Sequence, residues 1–265
     1  MYHPLQTQVS KNHRQHFYAQ AHWTIHTDNL TLEETAREVI RAWELNYAKK
    51  MKCHDDPSLA AVISHSTGSY QVFAGWGILD QLGQRLKLLG ISETAYIVSD
   101  ENVFVPYVRK VQISLENNGI VAHCYTIPPG ESGKSLEMAE HIYQWLVDRK
   151  AERKHAVIAV GGGVVGDLAG YIAATFLRGL PLVHVPTSLT AMVDSSIGGK
   201  VAVNLSKGKN LVGSFHQPKI VMADIQSLTT LGKRELLEGW AEAVKHGLIL
   251  DPELFQIFED HTQDL

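Results

Sequence analysis

The residues with the clearest chemical meaning lie in Ala156-Val-Ile-Ala-Val-Gly-Gly-Gly-Val-Val-Gly-Asp167, an apolar run that ends in glycines and passes into a helical pattern. Gly161, Gly163 and Gly166 satisfy G-x-G-x-x-G. After a buried strand, such glycines let backbone amides and a helix N-terminus approach a diphosphate. A dinucleotide is the ligand this pattern predicts, and a turn serving only helix and sheet packing is the plainer alternative. The acidic residue that ordinarily follows about 20 positions later to hold a ribose is missing between Pro181 and Thr190. Asp100-Glu101 stands upstream instead, directly after the strand-like run Ala95 to Ser99, where a parallel sheet binds its ligands.

A second constellation follows in Pro186-Thr-Ser-Leu-Thr-Ala-Met-Val-Asp-Ser-Ser-Ile-Gly-Gly-Lys200, then Asn204 and Lys209-Asn210. Asp194, Lys200 and Asn210 are polar residues in a stretch of small and apolar side chains. They are expected to face a pocket where a carboxylate and an ammonium orient a polyhydroxylated or phosphorylated substrate. A solvated turn with an incidental ion pair is the competing explanation. Farther on, the pattern from Lys233 to Leu250 places Glu238, Glu242 and Lys245 or His246 on one side of a helix. A carboxylate beside a lysine there suits a metal ligand next to a binding cation, although such charges also form ordinary solvated faces. His22 and His26 sit in an alternating segment and receive no role.

The elements that must position these groups alternate. Strand-like runs are Ala60 to Ser64, Tyr70 to Ala74, Ala95 to Ser99, Val121 to Ile127, Ala156 to Val160, Leu182 to Val185 and Ile220 to Ala223. Helical patterns fall at Ile78 to Leu89, Val105 to Asn117, Ser135 to Arg149 and Val165 to Phe176. Such alternation predicts right-handed βαβ units and a mainly parallel, Rossmann-like sheet in an α/β domain. After Asp224 only helices are expected, at Lys233 to Leu250 and Pro252 to Glu259, the start of an all-helical part. Upstream, Thr31-Leu-Glu-Glu34 reads as a capping box opening a helix from Leu32 to Ala48, and Ala21 to His26 alternates like a strand. The resulting division is an end piece or docking appendage at 1–48, a linker at 49–58, a nucleotide-binding domain at 59–228 and a helical part from 229 to 265.

The chain has 265 residues, 24 Lys and Arg against 28 Asp and Glu, and a net charge of −4, so no basic field exists to hold a nucleic acid by its phosphates. Two cysteines, Cys53 and Cys124, without C-x-x-C spacing fit a reducing compartment, the cytoplasm. Met1 to Tyr18 is rich in His and Gln, and the longest apolar run, Ala156 to Leu177, is broken by glycines and Asp167; neither a signal peptide nor a membrane anchor is expected.

Several of these motifs, in this order, resemble 3-dehydroquinate synthase: Gly161-Gly-Gly-Val-Val-Gly-Asp-Leu-Ala-Gly170, Ala173-Ala-Thr-Phe-Leu-Arg-Gly179, Pro186-Thr187, Val193-Asp-Ser-Ser-Ile-Gly-Gly-Lys200, Gly208-Lys-Asn210 and Gly239-Trp-Ala-Glu-Ala-Val-Lys-His-Gly247. The likeness runs from about Tyr70 to Leu265. Arg14-Gln-His-Phe-Tyr18, Ala21 to Thr27 and Asp28 to Glu34 are similar to the C-terminal end of shikimate kinase, with His16 where that family has Pro. The pair suggests a fused shikimate kinase and 3-dehydroquinate synthase, without the phosphate-binding loop that kinase activity needs.

The resemblance implies cyclisation of 3-deoxy-arabino-heptulosonate 7-phosphate to 3-dehydroquinate with phosphate release, using NAD and a divalent metal, zinc or cobalt, with no net redox change. It implies NAD contacts at Asp100, Asn102, Glu131, Lys134, Gly162, Gly163, Asp167, Thr187, Lys209 and Thr230. Glu131 and Lys134 belong to Pro128-Pro-Gly-Glu-Ser-Gly-Lys-Ser135, which is similar to the family's loop over the adenosine end. It further implies substrate or catalytic contacts at Arg178, Asp194, Lys200, Asn210 and Lys245, a metal ligand at Glu242, and a homodimer. Two histidine ligands and further phosphate-binding residues would come from beyond Leu265, so this chain alone is expected to hold metal poorly and be nearly inactive while keeping affinity for NAD. A metal-dependent polyol or alcohol dehydrogenase and a non-catalytic NAD-binding module are the competing readings.

Overall fold

The computed structural model describes Thr31, Glu34, Thr35 and residues 56–261. The chain divides into two compact units, Met1–Pro57 and Ser58–Leu265. In the first, the Thr31 amide donates to Glu34 Oε2 at 2.8 Å and the Glu34 amide to Thr31 Oγ1 at 3.2 Å, the reciprocal bonds of the expected capping box. The remainder of the expected helix, the strand Ala21 to His26 and the kinase-like Arg14 to Tyr18 lie outside the described residues.

The second unit is built on a seven-stranded sheet. Its strands are β1 (Leu59–His65), β2 (Gly68–Gly75), β3 (Thr94–Asp100), β4 (Val121–Ile127), β5 (Ala156–Gly161), β6 (Leu182–Pro186) and β9 (Ile220–Asp224). Their spatial order is β1-β2-β9-β6-β5-β3-β4, parallel throughout except for the β1–β2 hairpin at one edge. Helices α1 (Leu82–Leu88), α2 (Arg109–Glu116), α3 (Leu136–Asp148) and α4 (Gly163–Thr175) connect the strands, and α5 (Lys233–Leu250) and α6 (Pro252–Asp260) follow the sheet. No described helix is long and apolar enough to cross a membrane.

Side chains alternate across the sheet as the pleat requires. Ala95, Ile97, Ile158 and Val160 bury against α1 and α2 on one face. Tyr96, Val98, Val157 and Ala159 bury against α3 and α4 on the other. The chain therefore leaves β3 over one face toward β4 and leaves β5 over the opposite face toward β6. The strand order reverses between β3 and β5, and the crevice at the carboxyl ends of those two strands is where an open α/β sheet binds ligands.

The structure departs from the sequence expectation in two places. Residues 105–117 read as one helical stripe, yet a π-helical turn, Phe104–Val108, precedes α2. Pro106 lies within that turn, and proline lacks the amide and has the ring bulk that disfavour regular α-helix. Second, β7 (Lys200–Leu205) and β8 (Gly208–Phe215) form an antiparallel hairpin apart from the main sheet. Val201 and Val203 pack it onto the α3–α4 side.

Candidate functional site

The glycine turn sits at the strand-order reversal. β5 ends at Gly161, Gly162 is the N-cap of α4 without a side-chain cap, and the Thr187 amide donates to the Gly161 carbonyl at 3.0 Å. An uncapped first turn leaves amides directed outward. A Cβ on Gly161 would come within 2.7 Å of Val165 Cγ2, so only glycine lets the strand run into this helix. Carbons added at Gly162 and Gly163 would instead meet Ser188 Oγ at 3.3 Å and Ser195 Oγ at 3.2 Å. The two glycines thus leave a concavity edged by hydroxyls, which fits a diphosphate. Gly166 plays no comparable part, since a Cβ there would make only ordinary contact with His184 at 3.5 Å. Close packing on α4 falls to Gly170, where Val201 Cβ would be 2.9 Å from an added carbon.

The upstream Asp100 lies at the carboxyl edge of the main sheet. Ser99 pairs with Val160, so Asp100 ends β3 beside Gly161. Its Oδ1 accepts from the Asn102 and Val103 amides at 2.9 and 3.3 Å, and burial pushes the carboxyl above the usual Asp range. Thr230 lies in the turn Ile225–Thr230 after β9, its hydroxyl in hydrogen-bond contact with that of the buried Tyr107. Ser227 Oγ of the same turn donates to the Thr187 carbonyl at 3.5 Å.

A chain of charges crosses the crevice. Lys134 is 5% exposed, with its Nζ 2.8 Å from Asp167 Oδ2 and 3.5 Å from Glu131 Oε1. Glu131 also accepts from Asn204 Nδ2 at 2.7 Å and pairs with Lys209 at 3.6 Å. The Asn204 bond, helped by the two lysines, holds the Glu131 carboxyl below its usual range. Burial raises the carboxyl of Asp167 despite Lys134. The loop before α3, the first turns of α4 and the hairpin are thereby tied together.

Beside this network a cleft of about 520 Å³ is lined by Asp167, Asp194, Ser195, Lys200, Asn210 and Phe215. Lys200 Nζ lies 3.6 Å from Asp194 Oδ1. Asn210 reaches the cleft from a left-handed backbone position, φ +58°, its amide donating to Asn204 Oδ1 at 2.9 Å. α5 closes in from the side, because a Cβ on Gly239 would be 2.8 Å from the Thr190 amide nitrogen. One turn farther along α5, Glu242 contacts Lys245 Nζ and lies 3.3 Å from His246 Nε2. The Lys245 bond holds Glu242 below the usual range, and the Lys200 charge acts in the same direction.

Three expected residues stand differently from the rest. Arg178 is exposed and does not line the cleft; it follows Leu177 in a left-handed turn, φ +68° and +50°. Asn102 is exposed at the crevice rim. Among the described residues His246 is the one metal-ligating side chain beside Glu242, and no group of three His, Cys, Asp or Glu there could hold a metal. The described residues therefore fit a dinucleotide and do not complete a metal site. Ser188 and Ser195, whose hydroxyls edge the glycine concavity, received no role from the sequence. Ser195 was visible only as part of the Asp194-Ser-Ser run.

Residues 124–238 match the family profile described as 3-dehydroquinate synthase N-terminal. A 3-dehydroquinate synthase of Symbiobacterium thermophilum is 49% identical over 191 residues, 72% of this chain and 53% of that protein. The chain thus spans about half the length of that curated relative. Among solved structures, 2-epi-5-epi-valiolone synthase from Streptomyces hygroscopicus with NAD+ and Zn2+ bound is similar at TM-score 0.68 and 30% identity, covering 77% of this chain and 56% of that one. A 2-deoxy-scyllo-inosose synthase complexed with carbaglucose-6-phosphate, NAD+ and Co2+ gives TM-score 0.67 and 30% identity, covering 72% and 52%.

Proposed function

We propose, from the support that the profile match and the curated relatives give to the 3-dehydroquinate synthase family, that this chain supplies the NAD site and part of the substrate site of such an enzyme. The reaction is cyclisation of 3-deoxy-arabino-heptulosonate 7-phosphate with elimination of phosphate, a carbon–oxygen lyase reaction. The observation that carries this reading is the shared wall of the two sites. Asp167, one turn into the helix that begins at the glycine concavity, also lines the cleft holding Lys200 and Asp194. A nucleotide across Gly162 and a polyol phosphate beside Lys200 would lie next to one another.

In this reading the Gly162 and Gly163 amides receive the diphosphate, Asp100 faces the adenosine ribose, and Lys134, Glu131 and Lys209 secure the adenosine end, with Asn102, Thr187 and Thr230 completing the contacts. Bound NAD would supply reversible hydride transfer at one substrate carbinol, and the ketone level so reached would acidify the neighbouring C–H. Lys200 and Asn210 bind substrate oxygens and Asp194 orients the Lys200 ammonium, while Lys245 adds a second cation. Arg178, exposed on its strained turn, is read as a phosphate contact. Glu242 is read as the metal ligand from this stretch. We further read residues 1–48 as a shikimate kinase end, the assembly as a homodimer and the location as cytoplasm.

The test is a phosphate-release assay, with NADH read in parallel at 340 nm, on the chain joined to the C-terminal portion its relatives carry. Phosphate release without NADH accumulation is expected. NADH accumulating without phosphate would move the assignment to a polyol dehydrogenase.

A further inference from the structure

We propose that Tyr70 and Gln217 are positioning residues that aim Lys200 into the cleft by fixing the glycine bend before it. The inference rests on the reading of Lys200 as a substrate residue. Gly198 and Gly199 take left-handed conformations in succession, φ +87° and +72°, and Lys200 begins β7 immediately after them. A bend of two glycines has no side chains of its own to hold it and the largest backbone freedom to lose. It is held from outside by three hydrogen bonds. The Gly198 amide donates to Tyr70 Oη at 3.0 Å, Gln217 Nε2 donates to the Gly198 carbonyl at 3.1 Å, and the His216 amide donates to the Gly199 carbonyl at 2.8 Å.

The anchors are themselves fixed. Tyr70 is 2% exposed on β2, so its hydroxyl is placed by the main sheet. His216 Nε2 is bonded to the Leu180 carbonyl at 2.8 Å, which ties the segment after β8 to the loop that precedes β6. Gln217 packs so tightly that a Cβ on Gly199 would fall 2.8 Å from its Cδ. Among the described residues its Oε1 is buried without a hydrogen-bond partner. A buried orphan acceptor is unfavourable, so packing alone would be better served by an apolar side chain of equal length; the amide contributes through its donor to Gly198.

The consequence reaches Lys200 because its side chain is largely in solvent, 63% exposed, and 3.6 Å from Asp194. Few packing contacts can steer such a chain, so the direction in which its backbone leaves the bend decides where the ammonium sits. A misplacement of about 1 Å at a reacting group can cost on the order of a hundredfold in rate.

Tyr70→Phe and Gln217→Met each delete one bond to the bend and keep the shape. The readout is the NMR signal of the Lys200 side chain after 13C reductive methylation, identified by its loss in Lys200→Arg. In the parent chain Asp194→Asn shifts this signal, because the two groups are in contact. In the Tyr70→Phe and Gln217→Met backgrounds that shift should be lost, with the Lys209 signal unmoved as an internal control. Retention of the full shift in both backgrounds would overturn the proposal. If Tyr70→Phe does not fold, Gln217→Met at the half-buried position carries the test alone. Phosphate release that survives Lys200→Met would instead sink the reading beneath it, whatever the NMR shows.

Discussion

Replacing Lys134 with methionine keeps the side-chain length and removes the ammonium that holds Asp167. The two groups are 2.8 Å apart with 6% and 18% of their side chains exposed. Deleting one partner of a buried pair costs about 3–5 kcal/mol, because the other charge is left uncompensated. Asp167 keeps some solvent, and burial already raises its carboxyl, so it can relieve the strain by taking up a proton. The low end, about 3 kcal/mol, is therefore expected. At roughly 2–4 °C per kcal/mol for a domain of this size, the melting temperature should fall by about 6–12 °C. Adding Asp167→Asn removes the stranded charge and should recover about 1–2 kcal/mol, a coupling of the size found between groups in contact. Urea unfolding of the four chains of this cycle at pH 7 measures both quantities. A Lys134→Met cost under about 1 kcal/mol, or a coupling under about 0.5 kcal/mol, would refute the reasoning.

Three further outcomes follow from the same geometry. Gly166→Ala should be neutral or stabilise by about 0.5–1 kcal/mol, since the new methyl meets His184 at ordinary distance; Gly170→Ala, pressed into Val201, should destabilise by about 1–3 kcal/mol, and thermal melts of the pair distinguish them. Burial holds the His184 imidazole down at about 4 from an ordinary 6.5. A depressed histidine contributes stability that is present above pH 6.5 and lost as pH falls toward 4, here up to about 3 kcal/mol, so the fall in urea midpoint between those pH values should flatten in His184→Met. Burial pushes the Cys124 thiol up to about 11, so in a Cys53→Ser background its alkylation at pH 8 should run about a hundredfold slower than that of a free thiol, and an ordinary rate by mass spectrometry would contradict the placement.

What the sequence made legible was what a single period could carry. Val121–Ile127 and Lys233–Leu250 have the bounds their patterns predict, the first a short run with β-branched and aromatic residues that forms the edge strand of the sheet, the second a 3.6-residue stripe that marks a one-sided helix. That Asp100 and Gly161 each follow a strand, where ligands of a parallel sheet gather, was readable; that their two strands are neighbours was not. The hairpin was hidden. β8 carries Gly208, Lys209, Asn210 and Ser214, residues poor in strand propensity and mostly exposed, and the ribbon rests on α4 away from the main sheet. Without the hairpin, the spatial meeting of Asn204 with Glu131 had no visible cause. The left-handed turn at Leu177 and Arg178 was equally hidden, because neither residue type announces a positive φ.

A dinucleotide lying across the Gly162–Gly163 concavity, with its far end at Lys134, is what makes this chain the cofactor half of the enzyme proposed. Calorimetric titration of NAD into the chain, repeated with Gly163→Val, measures this directly. Saturable uptake of one NAD per chain that is abolished by Gly163→Val is the predicted result. Absence of uptake by the folded parent chain, or equal uptake by both, would contradict it.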